Sequence, residues 1–516
     1  MASSISAVAS EAPGPAVPGA RSLVAALALG VLAAAAVAPV LGGAVSDQLH
    51  DGQRLVQLAV LTVVGVAWAC SRQARRDVAE EASRLPLLGR GALLAAVALG
   101  VASALGAAFP SYALVEVGLY LLLGIAAVVV AAAARRHPAW AVGAITWAVV
   151  ATIVLYAVAL GVVEASALAV PGSLRWPDGF NGFDNVRHFN HVQTWTLPLS
   201  VLPLCAWKLS RLQRAGVIGL SGLWWCLLIV SGGRGTFVGV LAGAGIVAVL
   251  AGRQSYVWLG ALLKSAGVGA TLAFGWRVLP ALLGLTEARV PLLRSGSSGR
   301  LSIWASALEH SLQEPWLGAG PMHLAGTRSF LVDARVAHPH NALLQSGAEW
   351  GWPATVLLVG VGVWGAVAWG RQVRSASRSP RAGGRLNVRV ALTAAVYAAA
   401  VDAMVSGTLV MPASQLWGVA VVGLVLGLRQ SAEPAQASRT SGVALASAAF
   451  VAACATWSGV AEDVPTLRER DERYVRSGEV HVPMPRLWRH GAIGGVLDGP
   501  PTASPARGRT TGGPGV

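Results

Sequence analysis

Charge is what this chain has least of. Only 12% of its 516 residues are Asp, Glu, Lys or Arg, about half the share found in soluble globular domains. That deficit excludes an ordinary water-soluble fold. Cysteine is scarce as well. Cys70, Cys205, Cys226 and Cys454 lie in or at the ends of apolar runs, with no CxxC pair among them, which excludes a disulfide framework and a thiolate metal site. No internal repeat is visible, which weighs against a transporter built from duplicated halves. Basic residues outnumber acidic ones, giving a net charge of +15. In a soluble chain that excess would suggest nucleic acid. Here it sits in short loops between apolar runs, where it reads as membrane topology, so no nucleic-acid partner is expected.

What is there in abundance is apolar sequence, in runs of about 18 residues or more, the length that spans a bilayer. The reading is an all-α polytopic membrane protein of about 12–13 transmembrane helices with one long loop. Residues 1–20 read as a disordered cytoplasmic start, and the first run, 22–45, as an uncleaved anchor. Further spans are expected near 54–70, 91–109, 111–134, 139–164, 191–207, 215–231, 235–251 and 256–283. Four more follow near 353–369, 387–406, 411–428 and 441–459. Region by region, 21–283 carries helices one to nine, 284–352 is the long loop, and 353–460 carries helices ten to thirteen. The rest, 461–516, is a polar, partly disordered tail. Loops 71–90, 135–138, 208–214 and 370–389 are rich in Arg and Lys, so they face the cytoplasm. Loops 46–53, 165–190, 232–234, 284–352 and 407–410, and the tail, then face the other side.

Chemistry-bearing residues collect on that other side. Before span six stand Arg175, Asp178, Asn185, Arg187, His188, Asn190 and His191, and Arg234 sits in a tight Ser-Gly-Gly-Arg-Gly turn. The long loop adds Arg289, Arg294, Arg300, Glu309, Glu314, His323, Arg328, Arg335, His338, His340 and Glu349. Topology does not demand these arginines there, and a guanidinium fork suits phosphate. Pro339 suits a first helical turn, which would put His340 at an anion-favouring helix start as a neutral general base. Glu349 would face the opposite way. A zinc site from His188, His191, His338 and His340 is the alternative, although His-Pro-His is poor ligand spacing. Of the ionisable residues inside spans (Glu116, Glu164, Lys264, Arg277, Asp402), Asp402 stands near the outer end of its span, where it could orient His340 or an arginine.

Several stretches together carry a resemblance. They are Gly299-Arg300-Leu301 with Trp304, Glu314-Pro315-Trp316-Leu317-Gly318 with Gly320-Pro321, and His340-Asn341 with Gly351 after a gap of nine residues. Ser231 to Gly235 and Asn185-Val186-Arg187 join them. This pattern, over roughly 180–430, resembles the O-antigen ligase and O-antigen polymerase superfamily. The resemblance implies a GT-C-type membrane glycosyltransferase in the bacterial inner membrane. Its active side would be periplasmic, and it would use neither metal, cofactor nor nucleotide sugar. Arg187, Arg234 and Arg300 would hold the diphosphate of an undecaprenyl-diphosphate-linked glycan. His340 would deprotonate or orient the acceptor hydroxyl for inverting attack, with Arg234 and Arg300 also serving catalysis. Asn341 and Gly351 would belong to the substrate site, and Asp402, Glu314 and His338 would support it. In this chain Trp352-Pro353 follows Gly351, where the ligase motif often has Gly-Thr.

The acceptor expected first is lipid A-core, the ligase reaction. A lipid-linked repeat (polymerase) or a protein Ser or Thr (protein O-oligosaccharyltransferase) are the alternatives within the superfamily. From a different class stands a polysaccharide flippase or transporter, which would need no base.

Overall fold

The computed structural model describes residues 22–169, 182–282, 299–327, 330–331, 336–379, 383–430, 439–476 and 485–494. Arg175, Asp178, Arg289, Arg294, Arg328 and Arg335 lie outside the described residues.

Among the described residues the regular structure is entirely helical. The first part of the chain gives α1 (Leu23–Val45), α2 (Leu49–Ala67), α3 (Arg72–Ser83), α4 (Leu87–Gly106), α5 (Pro110–Arg136) and α6 (Pro138–Ala169). Next come α7 (Val186–Thr196), α8 (Leu202–Ala206), α9 (Arg211–Ser231), α10 (Arg234–Ala251), α11 (Tyr256–Ala273) and the short α12 (Leu279–Leu282). The loop contributes α13 (Arg300–Gln313) and α14 (Ala342–Trp350). The chain continues with α15 (Trp352–Ser377), α16 (Gly383–Asp402), α17 (Pro412–Leu428), α18 (Arg439–Asp463) and α19 (Leu467–Arg476). Among the described residues nine helical runs are long and apolar enough to cross a membrane. The chain is a multi-pass all-α membrane protein.

The thirteen expected spans map onto this set with instructive differences. Runs 235–251 and 256–283 are two helices, α10 and α11, joined by a 3-10 turn at Gly252–Ser255. α10 lies on α16, with Gly239 and Gly243 against Ala398 and Ala394, whereas α11 lies along α9, with Gly269 against Gly222 and Trp225. Run 411–428 is the short α17, which sits in the middle of the bundle with Leu416, Trp417, Ala420 and Leu424 fully enclosed. Run 191–207 is not a single span. It is the buried α7, a 3-10 turn at Leu197–Leu199 and the five-residue α8. Pro198 and Pro203 lack the amide hydrogens a continuous helix would need.

Small residues let the central helices touch backbone to backbone. A Cβ on Gly239 would stand 2.5 Å from the Ala398 carbonyl oxygen, and one on Gly243 would stand 2.4 Å from that of Ala394. This Gly-x3-Gly row of α10 therefore seats directly on α16 and holds the ends of both helices in register. One end of the bundle is closed by ion pairs of the basic loops: Arg135 with Glu81, and Arg136 with Asp77. Arg135 also donates to the Arg429 and Leu426 carbonyls. At the opposite end, residues of the expected loops 165–190, 232–234, 284–352 and 407–410 line one cavity.

Candidate active site

Three helices begin at that cavity, each with an arginine in its first turn. α7 is capped by Asn185, whose side chain accepts from the Arg187 amide at 2.9 Å. α9 ends at Gly232 in the left-handed conformation (φ 72°), and the chain turns within two residues so that α10 opens on Arg234. Gly299, also left-handed at φ 73°, precedes Arg300 as the first residue of α13. Each helix start carries a partial positive charge. Arg187, Arg234 and Arg300 thus add three guanidinium groups to three converging helix dipoles, an arrangement that suits an anion. Burial, then repulsion from Arg187 and Arg234, lowers the pKa of Arg300.

The cavity is about 300 Å³ and is lined by these arginines with His188, Asn190, His191, Ser231, Thr236, His338, His340, Asp402, Ser406 and Pro485. His340 projects from a strained turn: its φ is +53°, a conformation few non-glycine residues adopt. Two contacts hold that turn. Trp304, one turn after Arg300 on α13, donates from Nε1 to the Pro339 carbonyl at 3.1 Å, and the Ala342 amide donates to the Ala403 carbonyl at 2.9 Å. His338 accepts from the His340 amide at 3.3 Å, with the two rings 4.3 Å apart and nearly perpendicular. Burial, followed by the charges of Arg187 and Arg300, lowers the His340 pKa to about 4, so the imidazole is neutral at pH 7. Burial and His340 also hold His338 well below the usual range.

The helix start differs from the one read in the sequence. α14 begins at Ala342, and Asn341 is its cap, accepting from the Leu343 and Leu344 amides at 3.1 Å each. Pro339 and His340 precede the helix because the Asn341 side chain satisfies the first amides. Those amides are therefore spent on Asn341, which stands outside the cavity lining.

Asp402 ends α16 and faces the cavity, but its carboxylate Oδ2 accepts from Thr194 at 2.8 Å and Thr408 at 2.6 Å. Its electrostatic partner is Arg300. Thr194 and Thr236 share a further hydrogen bond of 2.7 Å. These threonines gave no signal in the sequence.

Glu314 and Gly351 also lie outside the cavity lining. Glu314 is exposed, and its carbonyl accepts from the Gly318 amide at 2.9 Å. The Pro315–Gly320 stretch clips onto the end of α14. Trp352 donates to the Pro315 carbonyl, Ala319 to that of Ala348 and Gly320 to that of Glu349, at 2.9, 2.9 and 3.1 Å. Gly351 joins α14 to α15 at φ 78°, where a Cβ would stand 2.3 Å from the Trp316 oxygen. The spacing of this motif is explained by backbone approach, with Gly351 acting as the joint. His323 is held elsewhere in the loop, with Nε2 accepting from the Phe109 amide at 2.9 Å. Among the described residues no three His, Cys, Asp or Glu side chains are grouped to hold a metal ion.

Comparison with known families bears directly on this stretch. Residues 219–359 match the O-antigen ligase family model. The O-antigen ligase match runs from within α9 through α10, α11 and the loop into α15, and so includes Arg234, Arg300, His338 and His340. It agrees with the superfamily resemblance of the loop motifs. No curated protein matches the chain.

The largest departure from expectation is the tail. Residues 485–494, read as part of a polar and partly disordered end, are threaded into the protein, with Arg486, Leu487, Trp488 and His490 buried and Pro485 in the cavity wall.

Proposed function

We propose that the cavity transfers glycan from undecaprenyl diphosphate to an acceptor hydroxyl, with inversion and without metal. The observation that carries this reading is the convergence of Arg187, Arg234 and Arg300, each at a helix start, around a neutral His340. The acceptor O–H gives its proton to His340 while its oxygen attacks the anomeric carbon. The bond from that carbon to the diphosphate oxygen breaks on the opposite face. Undecaprenyl diphosphate leaves as an anion whose added charge falls on the three guanidinium groups, the electrostatic task that dominates such transfers. A bound donor also offsets the arginine charges that depress the His340 pKa. The base therefore strengthens once the donor is in place. Asp402, near Arg300, fixes the arginine side of the cavity through its threonine partners.

Loop charge supports a periplasmic cavity in the bacterial inner membrane. The cavity is built from the loops that the positive-inside pattern assigns outward, and the basic loops pair at the other end. Lipid A-core is the favoured acceptor, on the strength of the O-antigen ligase match.

A deletion strain complemented with wild-type protein or with His340→Ala tests the reading. Lipopolysaccharide, lipid-linked glycan and glycoprotein are profiled together at equal expression. Long glycan stranded on undecaprenyl diphosphate above bare lipid A-core is the expected outcome. Core capped with single repeats would make the protein a polymerase, and loss of glycan from a protein would make it a protein transferase. Wild-type profiles in the mutant would refute the proposed role of His340.

A further inference from the structure

Glu116 on α5 and Glu349 on α14 are both buried, and Glu349 Oε1 accepts from the Leu324 amide at 3.3 Å. The cation that joins them comes from far along the chain. Nη2 of Arg486 donates to Glu116 Oε1 and Oε2 at 2.8 Å each and to Glu349 Oε2 at 2.5 Å. Arg486 is 2% exposed. Its carbonyl is held in turn by Arg54 of α2, whose Nη2 donates to it at 3.0 Å and to the Val410 carbonyl at 2.8 Å. Three residues on, Arg489 donates from Nε to Asp184 at 3.1 Å, immediately before the turn that carries Asn185 and Arg187. The Ile493 amide donates to the Ala325 carbonyl at 3.2 Å. One ten-residue segment is thereby tied to the α7 entry, to α14 and to the long loop, and through Arg54 to the turn that carries Val410. Each of these elements contributes to the cavity or adjoins a residue that does.

We propose that residues 485–494 are an intramolecular strap that completes the catalytic cavity, with Arg486 as a positioning residue that fixes α14 and thereby the His340 turn. Glu349 lies in the last turn of α14, and His340 immediately precedes the Asn341 cap at the other end of that nine-residue helix. A nine-residue helix is too short to hold its own orientation by propensity alone. Its orientation is set by what grips its two ends. The Trp304 and Ala403 contacts grip the first end, and the Arg486–Glu349 pair, with the Pro315–Gly320 clip, grips the second. The charged pair is the grip a single side chain can release, because removing the cation leaves two buried carboxylates facing each other. Arg486 does not touch the three arginines, so donor binding and turnover should separate when it is changed. The catalytic part of the proposal rests on the glycosyl-transfer reading; the strap itself does not.

The test uses full-length protein in nanodiscs, with Arg486→Met and Glu349→Met as variants. Glu349→Met leaves Arg486 paired with Glu116, so it keeps the fold if Arg486→Met does not. Hydrogen exchange is read across the chain, and kcat and KM are read with lipid-linked glycan as donor. Exchange at the α14 amides should rise about tenfold while α9 to α11 stay within about twofold, as local rather than global opening requires. By the same loosening, kcat should fall about tenfold with donor KM within about twofold. Wild-type exchange at α14 in a folded variant would overturn the strap. So would an equal rise through α9 to α11, because Arg486 would then be serving general stability. Wild-type kcat in either folded variant would overturn the positioning role. If wild-type protein transfers no glycan, the functional reading falls, and the exchange pattern still decides the strap.

Discussion

On the proposed function, an ordinary histidine as base would make transfer fail in mildly acidic buffer, and His340 should not. Its pKa stands at about 4, set first by burial and then by Arg187 and Arg300, against about 6.5 for an unperturbed imidazole. At pH 5.5 the ordinary side chain would be only about one-tenth neutral, whereas His340 would be about 97% neutral. If the neutral ring is the base, kcat/KM should hold nearly level down to about pH 5 and fall only as pH approaches about 4, since that parameter reports the free enzyme. The kcat limb, which reports the donor-bound state, should lie higher because the diphosphate cancels part of the arginine field. Arg187→Gln removes the larger of the two repelling charges and should move the kcat/KM limb upward while lowering the overall rate. The assay is initial-rate transfer from lipid-linked glycan in nanodiscs between about pH 4 and about pH 8, with both limbs fitted separately. A wild-type kcat/KM limb near 6.5, or a limb that Arg187→Gln leaves in place, would refute the reasoning. The same shift has a stability sign. The unfolded chain takes up the proton near 6.5 and the folded one only near 4, so this contribution is fully present above about pH 6.5. It is lost as pH falls through that window, and thermal unfolding at stepped pH should show it.

Two further predictions concern the supports of the His340 turn. Trp304→Phe keeps an aromatic ring, though a smaller one, and removes the Nε1 donor to the Pro339 carbonyl. It should lower kcat several-fold and cost about 1 kcal/mol of stability, with donor KM unchanged; a KM effect alone would place Trp304 in donor binding. Gly351→Ala forces a Cβ to within 2.3 Å of the Trp316 oxygen at φ 78°. It should cost about 2 kcal/mol or more, read as a lower midpoint of thermal unfolding, and unchanged stability would show that the α14–α15 joint can relax.

Much of the fold was legible because a bilayer demands long apolar runs, and those runs are local. Of the loops that the positive-inside pattern assigns outward, 165–190, 232–234, 284–352 and 407–410 contribute residues to the cavity. Arg187, Arg234, Arg300, His338, His340 and Asp402, singled out from separate stretches, line one cavity. The start of α14 was misplaced because Pro339 and Asn341 compete to open the helix, and a cap that accepts two amides outweighs a proline that merely tolerates the position. The break between α7 and α8 could have been read from Pro198 and Pro203. The Arg486 pair could not. Its partner Glu116 is 370 residues away, and no periodicity reports on such a contact. The one local hint was Leu487 and Trp488, apolar bulk for which a solvated tail has no use.

The placement of residues 485–494 has a consequence for the order in which this protein becomes active. They follow every transmembrane helix described here, so they are made after Arg187, Arg234, Arg300 and His340 have already been inserted. Until α18 has delivered its far end to the side where the cavity lies, α14 lacks its grip and Glu116 and Glu349 lack their cation. A chain stalled or clipped before Pro485 would sit in the membrane with all its arginines and its base, yet with an unfinished wall. On the proposed function, synthesis itself would then act as the timer for activity, and partial chains would transfer no glycan.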